Sequence, residues 1–267
     1  MKVRGDDCYL RAVRHRRQVD ILRHLRAGGV VSVEDLARDL DVSAATIRRD
    51  LQQLDRAGVL TRVHGGAHLS GREPGDSEPE RPFAEVAASH AADKDRVARK
   101  AAGTVRDGEV LLLDIGTTTM MLARHLRGRP VTVMTASLAV VDVLRDDEQV
   151  ELVVLGGALR RPYLSLVGVL TQDALAQVRA DRAFLGASGV RADGQVLDTT
   201  GVEVPVKRAL IAAADQVVLL ADRHKLPGSG SLRVCAIKDI NVLVTNDGAD
   251  PHTLEACAAA GVEVLIS

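Results

Sequence analysis

Apolar residues fall on two different periods along this chain, and the change of period divides it. Between Ser43 and Ala57, Ile47, Leu51 and Leu54 recur at helical spacing on one side of a wheel, while Ala45, Arg49, Gln52 and Arg56 fall nearly opposite and Arg48 lies on the flank. The spacing predicts one amphipathic helix with a buried stripe and a long-reaching, Arg-rich polar face. Ser43 is placed to cap its first turn, and Val42 to pack on Ile47 as a hydrophobic staple. Upstream, Val19, Leu22 and Leu25, with Ile21 alongside, predict a first helix over 14–26 that stops at Gly28-Gly29. Ser32-Val33-Glu34-Asp35 reads as the capped, acidic first turn of a second helix carrying Leu36, Ala37 and Leu40 to a break at Asp41-Val42.

Past Gly58 the period shortens. Alternating apolar residues on either side of Gly65-Gly66, over 59–69, predict a small β-hairpin. Two short helices joined by a tight turn match the helix-turn-helix pattern, whose second helix enters the DNA major groove, and the hairpin would be a wing beside it. The candidate DNA-binding residues are therefore Ser43, Thr46, Arg48, Arg49, Gln52, Arg62 and His64. Residues 1–69 form the expected winged helix-turn-helix domain, and the Gly- and Pro-rich stretch 70–82, poor in apolar residues, is the expected linker.

From Phe83 onward the pattern changes to near-continuous apolar runs at 110–113, 131–135, 150–155, 217–220, 242–245 and 262–266. Helical stretches at 93–105, 118–127, 137–145, 170–179, 202–214 and 251–260 separate them. Alternating strands and helices with strands apolar on both faces predict an α/β domain over 83–267 with a largely parallel sheet.

Composition adds three constraints. The chain has 267 residues, 46% hydrophobic and 27% charged, which is long enough for two domains and ordinary for a globular protein. No apolar run approaches the roughly 20 residues of a membrane span and no signal-peptide core opens the chain, so a cytoplasmic location is expected, with no membrane partner. Cys8, Cys235 and Cys257 lack metal-ligand spacing, and His64 and His68 have no third ligand nearby, so neither a metal nor another cofactor is expected. The net charge of −1 hides an asymmetry: residues 1–72 hold 14 Lys and Arg against 9 Asp and Glu, and the remainder 21 against 27. A basic head suits a polyanion, because neutralising phosphates releases counterions.

In open α/β sheets, ligands bind beyond the strand carboxyl ends, which makes the loops there the candidate site. After the first strand, Asp114-Ile115-Gly116-Thr117-Thr118-Thr119 opens a helix with free backbone N–H groups and hydroxyls suited to a phosphate. It lacks the Gly-Lys-Ser/Thr ending of a P-loop, and the chain has no dinucleotide fingerprint. After the second strand, Thr135 and Ser137 present two hydroxyls, and after the third, Gly156-Gly157 allows close backbone approach. Further on stand Asp181, Glu203 with Lys207 at i, i+4 on one helix, and Asp222 with Lys225 after a strand.

Ser43-Ala-Ala-Thr-Ile-Arg-Arg-Asp-Leu51 with Arg62-Val-His-Gly-Gly-Ala67 resembles the signature of DeoR-type bacterial transcriptional regulators. The resemblance continues through Asp114 with Gly116–Thr119, Leu155-Gly-Gly157, Phe184-Leu-Gly186, Glu203 with Lys207, and Leu220-Ala-Asp222 with Lys225. It implies a homo-oligomeric repressor of a carbohydrate-related operon that binds double-stranded operator DNA. It also implies a C-terminal domain similar to ribose-5-phosphate isomerase, which binds a phosphorylated sugar or related metabolite. The effector-binding residues it implies are Asp114, Gly116, Thr117, Thr118, Thr119, Thr135, Ser137, Gly156, Gly157, Asp181, Glu203, Lys207, Asp222 and Lys225. Ile115, Ala136 and Val86 depart from the pattern, standing where the family commonly carries Ser, Asn and Arg. The alternatives are an isomerase-like enzyme with a DNA-binding head, using Asp181, Glu203 and Lys207 as acid-base groups, and a DNA-binding protein without an effector.

Overall fold

The computed structural model describes residues 17, 18, 20, 21, 24, 30–56, 60–63, 66–69 and 82–267. The chain divides into two compact units, Met1–Glu80 and Arg81–Ser267. The Gly28-Gly29 stop and, apart from Pro82, the linker stretch lie outside the described residues.

In the first unit, β1 (Val30–Ser32) leads into α1 (Val33–Asp39), followed by α2 (Ala44–Arg56), β2 (Leu60–Val63) and β3 (Gly66–Leu69). Ser32 caps α1, its Oγ accepting the Asp35 N–H at 3.0 Å. Ile47, Leu51 and Leu54 bury the apolar stripe of α2 against Ile21, Val33, Leu36 and Leu60, and Val42 packs on the same cluster. β2 and β3 pair antiparallel as the expected hairpin. The sequence pattern did not point to β1, whose Val30–Ser32 pair with His68–Gly66 and complete a three-stranded sheet. Three residues are too few to display an alternation.

The second unit begins with α3 (Phe83–Ala88) and α4 (Ala91–Ala102), then runs β4 (Val110–Leu113), α5 (Thr117–Leu126), β5 (Thr132–Thr135), α6 (Leu138–Leu144) and β6 (Glu151–Val154). A hairpin of β7 (Ala158–Arg160) and β8 (Ser165–Val167) precedes α7 (Val169–Leu175) and β9 (Ala180–Gly186). β10 (Gly189–Val190), β11 (Gln195–Asp198) and α8 (Val204–Ala212) follow, then β12 (Ala214–Leu220), β13 (Leu232–Ala236), β14 (Val242–Thr245), α9 (Pro251–Ala259) and β15 (Glu263–Ile266).

Seven strands form one parallel sheet in the order β15-β14-β12-β9-β4-β5-β6. Both faces are covered, which explains the unbroken apolar runs. Leu111, Leu113, Val218, Leu220 and Val244 face one apolar cluster with α4, α5 and α6, and Leu112, Val217, Leu219 and Leu243 face another with α7, α8 and α9. The chain builds outward from β4 through β5 to β6, then crosses back to β9 and builds the other way. The reversal falls between β4 and β9, where open α/β sheets open a crevice beyond the strand ends.

The central strand β9 is absent from the apolar runs because Asp181 and Arg182 interrupt it. Both charges are absorbed at the amino edge of the sheet: Asp181 Oδ2 accepts the Val110 N–H at 2.7 Å, and Arg182 donates to Thr104 O at 2.7 Å and pairs with Glu109 at 3.3 Å. Among the described residues, no helix is long and apolar enough to cross a membrane.

Candidate functional site

On α2 the buried stripe turns the opposite face outward. Ser43, Ala45, Arg48, Arg49 and Gln52 are exposed and Thr46 is half-buried. The helix start is fixed by Ser43, whose Oγ accepts the Thr46 N–H at 3.2 Å and lies 2.9 Å from the Thr46 hydroxyl. Arg48 reaches Glu34 on α1 at 3.3 Å, whereas Arg49 has no ion pair among the described residues. Asp50, between them and the stripe, is buried and bonded to Arg17 Nε at 2.5 Å. Gln53 accepts from Gln18 at 3.2 Å. Asp50 and Gln53 of α2 are thereby tied to Arg17 and Gln18. Arg62 falls in β2, and His64 lies outside the described residues.

In the second unit, Asp114 follows β4 and Gly186 ends β9, the two strands at the sheet's reversal point. The Asp114 carboxyl is fully buried, and its Oδ2 accepts the Gly186 N–H at 3.0 Å and the Lys207 ammonium. Lys207, reaching down from α8, also donates to Gly186 O at 2.9 Å and lies 3.5 Å from Asp198 Oδ2. Two of its donors are bonded to Asp114 and Gly186, and the Asp198 carboxylate lies beside the ammonium as an ion pair. Burial alone would lower the Lys207 pKa, but Asp114, Asp198 and Glu203 outweigh it and hold the ammonium charged. Asp114 Oδ1 is buried with no hydrogen-bond partner.

Glu203, preceding α8, bonds the guanidinium of Arg160 from β7, and both side chains are nearly inaccessible. Arg160 also lies over the Tyr163 ring at 4.8 Å. Burial pushes Glu203 up to about 7, against the opposing pull of Lys207 and Arg160.

Beside this cluster α5 begins. Gly116, its N-cap, contributes no side-chain bond, and the first backbone N–H to bond back into the helix is that of Met120, to Gly116 O at 3.1 Å. The N–H groups of the first turn therefore point outward, with the positive end of the helix dipole.

The sequence model of the DeoR-like helix-turn-helix domain matches residues 17–72, and that of the DeoR C terminal sensor domain matches residues 89–247. The chain belongs to the DeoR family. The glycerol-3-phosphate regulon repressor of Haemophilus influenzae is 34% identical over 88% of this chain and 89% of that protein. The HTH-type transcriptional repressor GlcR of Bacillus subtilis is 30% identical over 94% and 95% respectively. Among solved structures, ribose 5-phosphate isomerase A from Methanocaldococcus jannaschii overlays with a TM-score of 0.37 at 21% identity, covering 49% of this chain and 52% of that one.

In this DeoR-family chain the residues singled out from the sequence separate into three groups. Asp114, Gly116, Thr117, Thr118, Lys207, Glu203 and Lys225 converge on the carboxyl edge of the sheet around β4, β9 and β12. Lys225 is half-buried and, among the described residues, makes no side-chain bond, and neither do the hydroxyls of Thr117 and Thr118.

A second group sits at the same edge but is occupied within the protein. Thr119 Oγ1 donates to Asp114 O and Gly116 O, both at 2.7 Å. Thr135 Oγ1 donates to Leu113 O at 2.8 Å, and Ser137 Oγ caps α6 through the Val140 N–H at 3.3 Å. Asp222 Oδ1 likewise accepts the His224 N–H at 3.0 Å. Gly156 O accepts from Thr171 at 2.7 Å, and a Cβ on Gly157 would stand 2.1 Å from Thr171 Oγ1 and 2.9 Å from Val167 O. Gly157 is thus required by packing against α7 and β8 rather than by the approach of a ligand.

Asp181 forms the third group alone. It lies at the opposite, amino edge of the sheet bonded to Val110, which corrects its placement beside the effector residues. Ile115 and Ala136 are buried in the apolar cluster under the site, and Val86 contributes its carbonyl to Lys94. The sequence reasoning missed Asp198 and Arg160. Asp198 ends a short strand of the separate β10-β11-β13 sheet, and Arg160 ends a three-residue strand, so neither carried a periodic signal.

Proposed function

We propose that this protein is a transcriptional repressor of a carbohydrate-related operon that binds double-stranded operator DNA through α2 and responds to a phosphorylated sugar at the carboxyl edge of its sheet. The observation that carries this reading is the presence of both DeoR domains in one chain, over 17–72 and 89–247. The repressor names of its relatives agree with it. Arg48, Arg49 and Gln52, with Ser43 and Thr46, are the groups we assign to DNA, Arg49 being the cation with no competing carboxylate among the described residues. Operators would be repeated or palindromic and the protein a homo-oligomer, as for other helix-turn-helix readers.

For the effector, the open first turn of α5 and the unengaged Lys225 favour the phosphate over Gly116–Thr118. Lys207 is spent on internal acceptors and supports the site without serving as the phosphate's cation. Asp114 Oδ1, buried and without a donor, suits a sugar hydroxyl. The switch requires the effector to bind DNA-competent and DNA-incompetent states with different affinity. We assign no catalytic step.

The test is a gel-shift series with the full chain on DNA from upstream of its own and neighbouring genes, with glycerol 3-phosphate and hexose 6-phosphates added. Arg49→Ala is expected to weaken binding by about 1–3 kcal/mol. Thr118→Ala should bind DNA normally and respond to effector less. Unchanged operator affinity and salt dependence in Arg49→Ala would remove the DNA reading, and no response to any sugar phosphate would remove the effector reading.

A further inference from the structure

A second cluster lies on the same domain, joined to the effector candidates through His224, whose N–H bonds Asp222 at 3.0 Å. His90 precedes α4, Asp93 stands in its first turn, and His224 follows β12. One ligand atom from each lies within 4.8 Å of the others. The imidazoles stack with centroids 3.7 Å apart, His90 doing so from a left-handed backbone (φ 53°) that a non-glycine residue seldom adopts. Asp93 is buried, while both histidines are exposed. Fully buried Asn246 ties the two sides together, donating to Asp93 O at 3.0 Å and accepting from Arg223 N at 3.3 Å. The backbones that carry the three donors are thus framed before any ligand arrives.

We propose that His90, Asp93 and His224 form a binding site for a divalent transition metal of the zinc class, with two imidazole nitrogens and one carboxylate oxygen as ligands. This donor set suits such ions and leaves coordination positions for water. Two adjustments accompany binding. The rings turn about χ2, a broad torsion that exposed imidazoles can adjust, to aim their lone pairs at one point. The guanidiniums of Arg96 and Arg223, which lie 2.5 Å and 3.3 Å from Asp93, withdraw from the carboxylate. Their side chains are 45% and 43% exposed, so solvent receives them. These arginines oppose the metal and set the direction of one substitution: removing Arg96 should tighten binding.

The experiment is a calorimetric titration of zinc chloride into the full chain free of any histidine tag, run beside His90→Asn, His224→Ser and Arg96→Ala. Both histidines are exposed, so the first two variants should fold, and their thermal melting without metal checks this. The expected result is one saturable zinc step per chain that disappears in His90→Asn and His224→Ser and moves to lower zinc concentration in Arg96→Ala. No saturable step in the unmodified protein, an equal step in either histidine variant, or weaker zinc binding in Arg96→Ala overturns the proposal.

Discussion

Replacing Lys207 by Met removes the cation that, among the described residues, bridges Asp114 and Asp198. The two carboxyls are not equally exposed to the loss. Asp198 keeps the N–H groups of Thr199 and Thr200 at 2.7 Å and 3.2 Å and the Ser188 hydroxyl at 3.4 Å. Asp114 keeps the Gly186 N–H at 3.0 Å alone, with its other oxygen already unpartnered and its side chain fully buried. Removing one member of a buried ion pair costs about 3–5 kcal/mol, because the remaining charge stays desolvated. The cost here falls mainly on Asp114. Asp114→Asn in the Lys207→Met background, which removes the stranded charge, should therefore recover at least half of it.

Urea denaturation of the full chain, followed by far-ultraviolet circular dichroism, measures both variants. A loss of about 4 kcal/mol is a large part of the roughly 5–15 kcal/mol that holds a typical domain together, so the effector-domain transition should move well to lower urea. If Lys207→Met loses less than about 1 kcal/mol, the bridge is not a buried ion pair in the sense argued. If the loss is full and Asp114→Asn recovers none of it, the penalty does not reside on Asp114.

Two further outcomes follow from the same physics. Arg17→Ala strands the buried Asp50 on the inner side of α2 and should destabilise the DNA-binding unit by about 3–5 kcal/mol, while Asp50→Asn in that background restores part of it, read by thermal melting. The ordinary Glu203 value of 4.5 is raised by burial to about 7, so its contribution to stability is full below pH 4.5 and is lost as pH rises through 7. The stability of the wild-type chain minus that of Glu203→Gln should fall by about 3 kcal/mol between those limits, and a difference independent of pH would contradict the burial argument.

What the sequence made legible is what repeats. Ile47, Leu51 and Leu54 recur on the helical period and form the buried stripe of α2, and the outward direction of Arg49 and Gln52 follows from them. The runs at 110–113 and 242–245 are whole parallel strands because both faces of the sheet are covered. β9 escaped for the converse reason: Asp181 and Arg182 are satisfied by Val110, Thr104 and Glu109, partners far away along the chain, and local pattern contains no trace of them.

The same distinction runs through the candidate site. Asp114 and Gly116–Thr119 could be placed because a strand followed by a helix start has a local signature, and the sheet's reversal point puts them where open α/β sheets form a crevice. Residue type alone could not separate hydroxyls left without a bond from hydroxyls already used. Thr118 and Thr119 are adjacent, yet one is uncommitted among the described residues and the other holds Asp114 O and Gly116 O together. Lys207 has the same ambiguity in a stronger form. A lysine four residues after a glutamate on a helix reads as a surface pair, a few tenths of a kcal/mol in weight. Its actual partners, Asp114 and Asp198, come from β4 and β11, and Glu203 turns instead to Arg160 from β7. The charge network around Asp114 is thus a product of topology, and it decides which lysine at this edge makes no side-chain bond among the described residues: Lys225, whose neighbours in sequence gave no hint that Lys207 would be engaged instead.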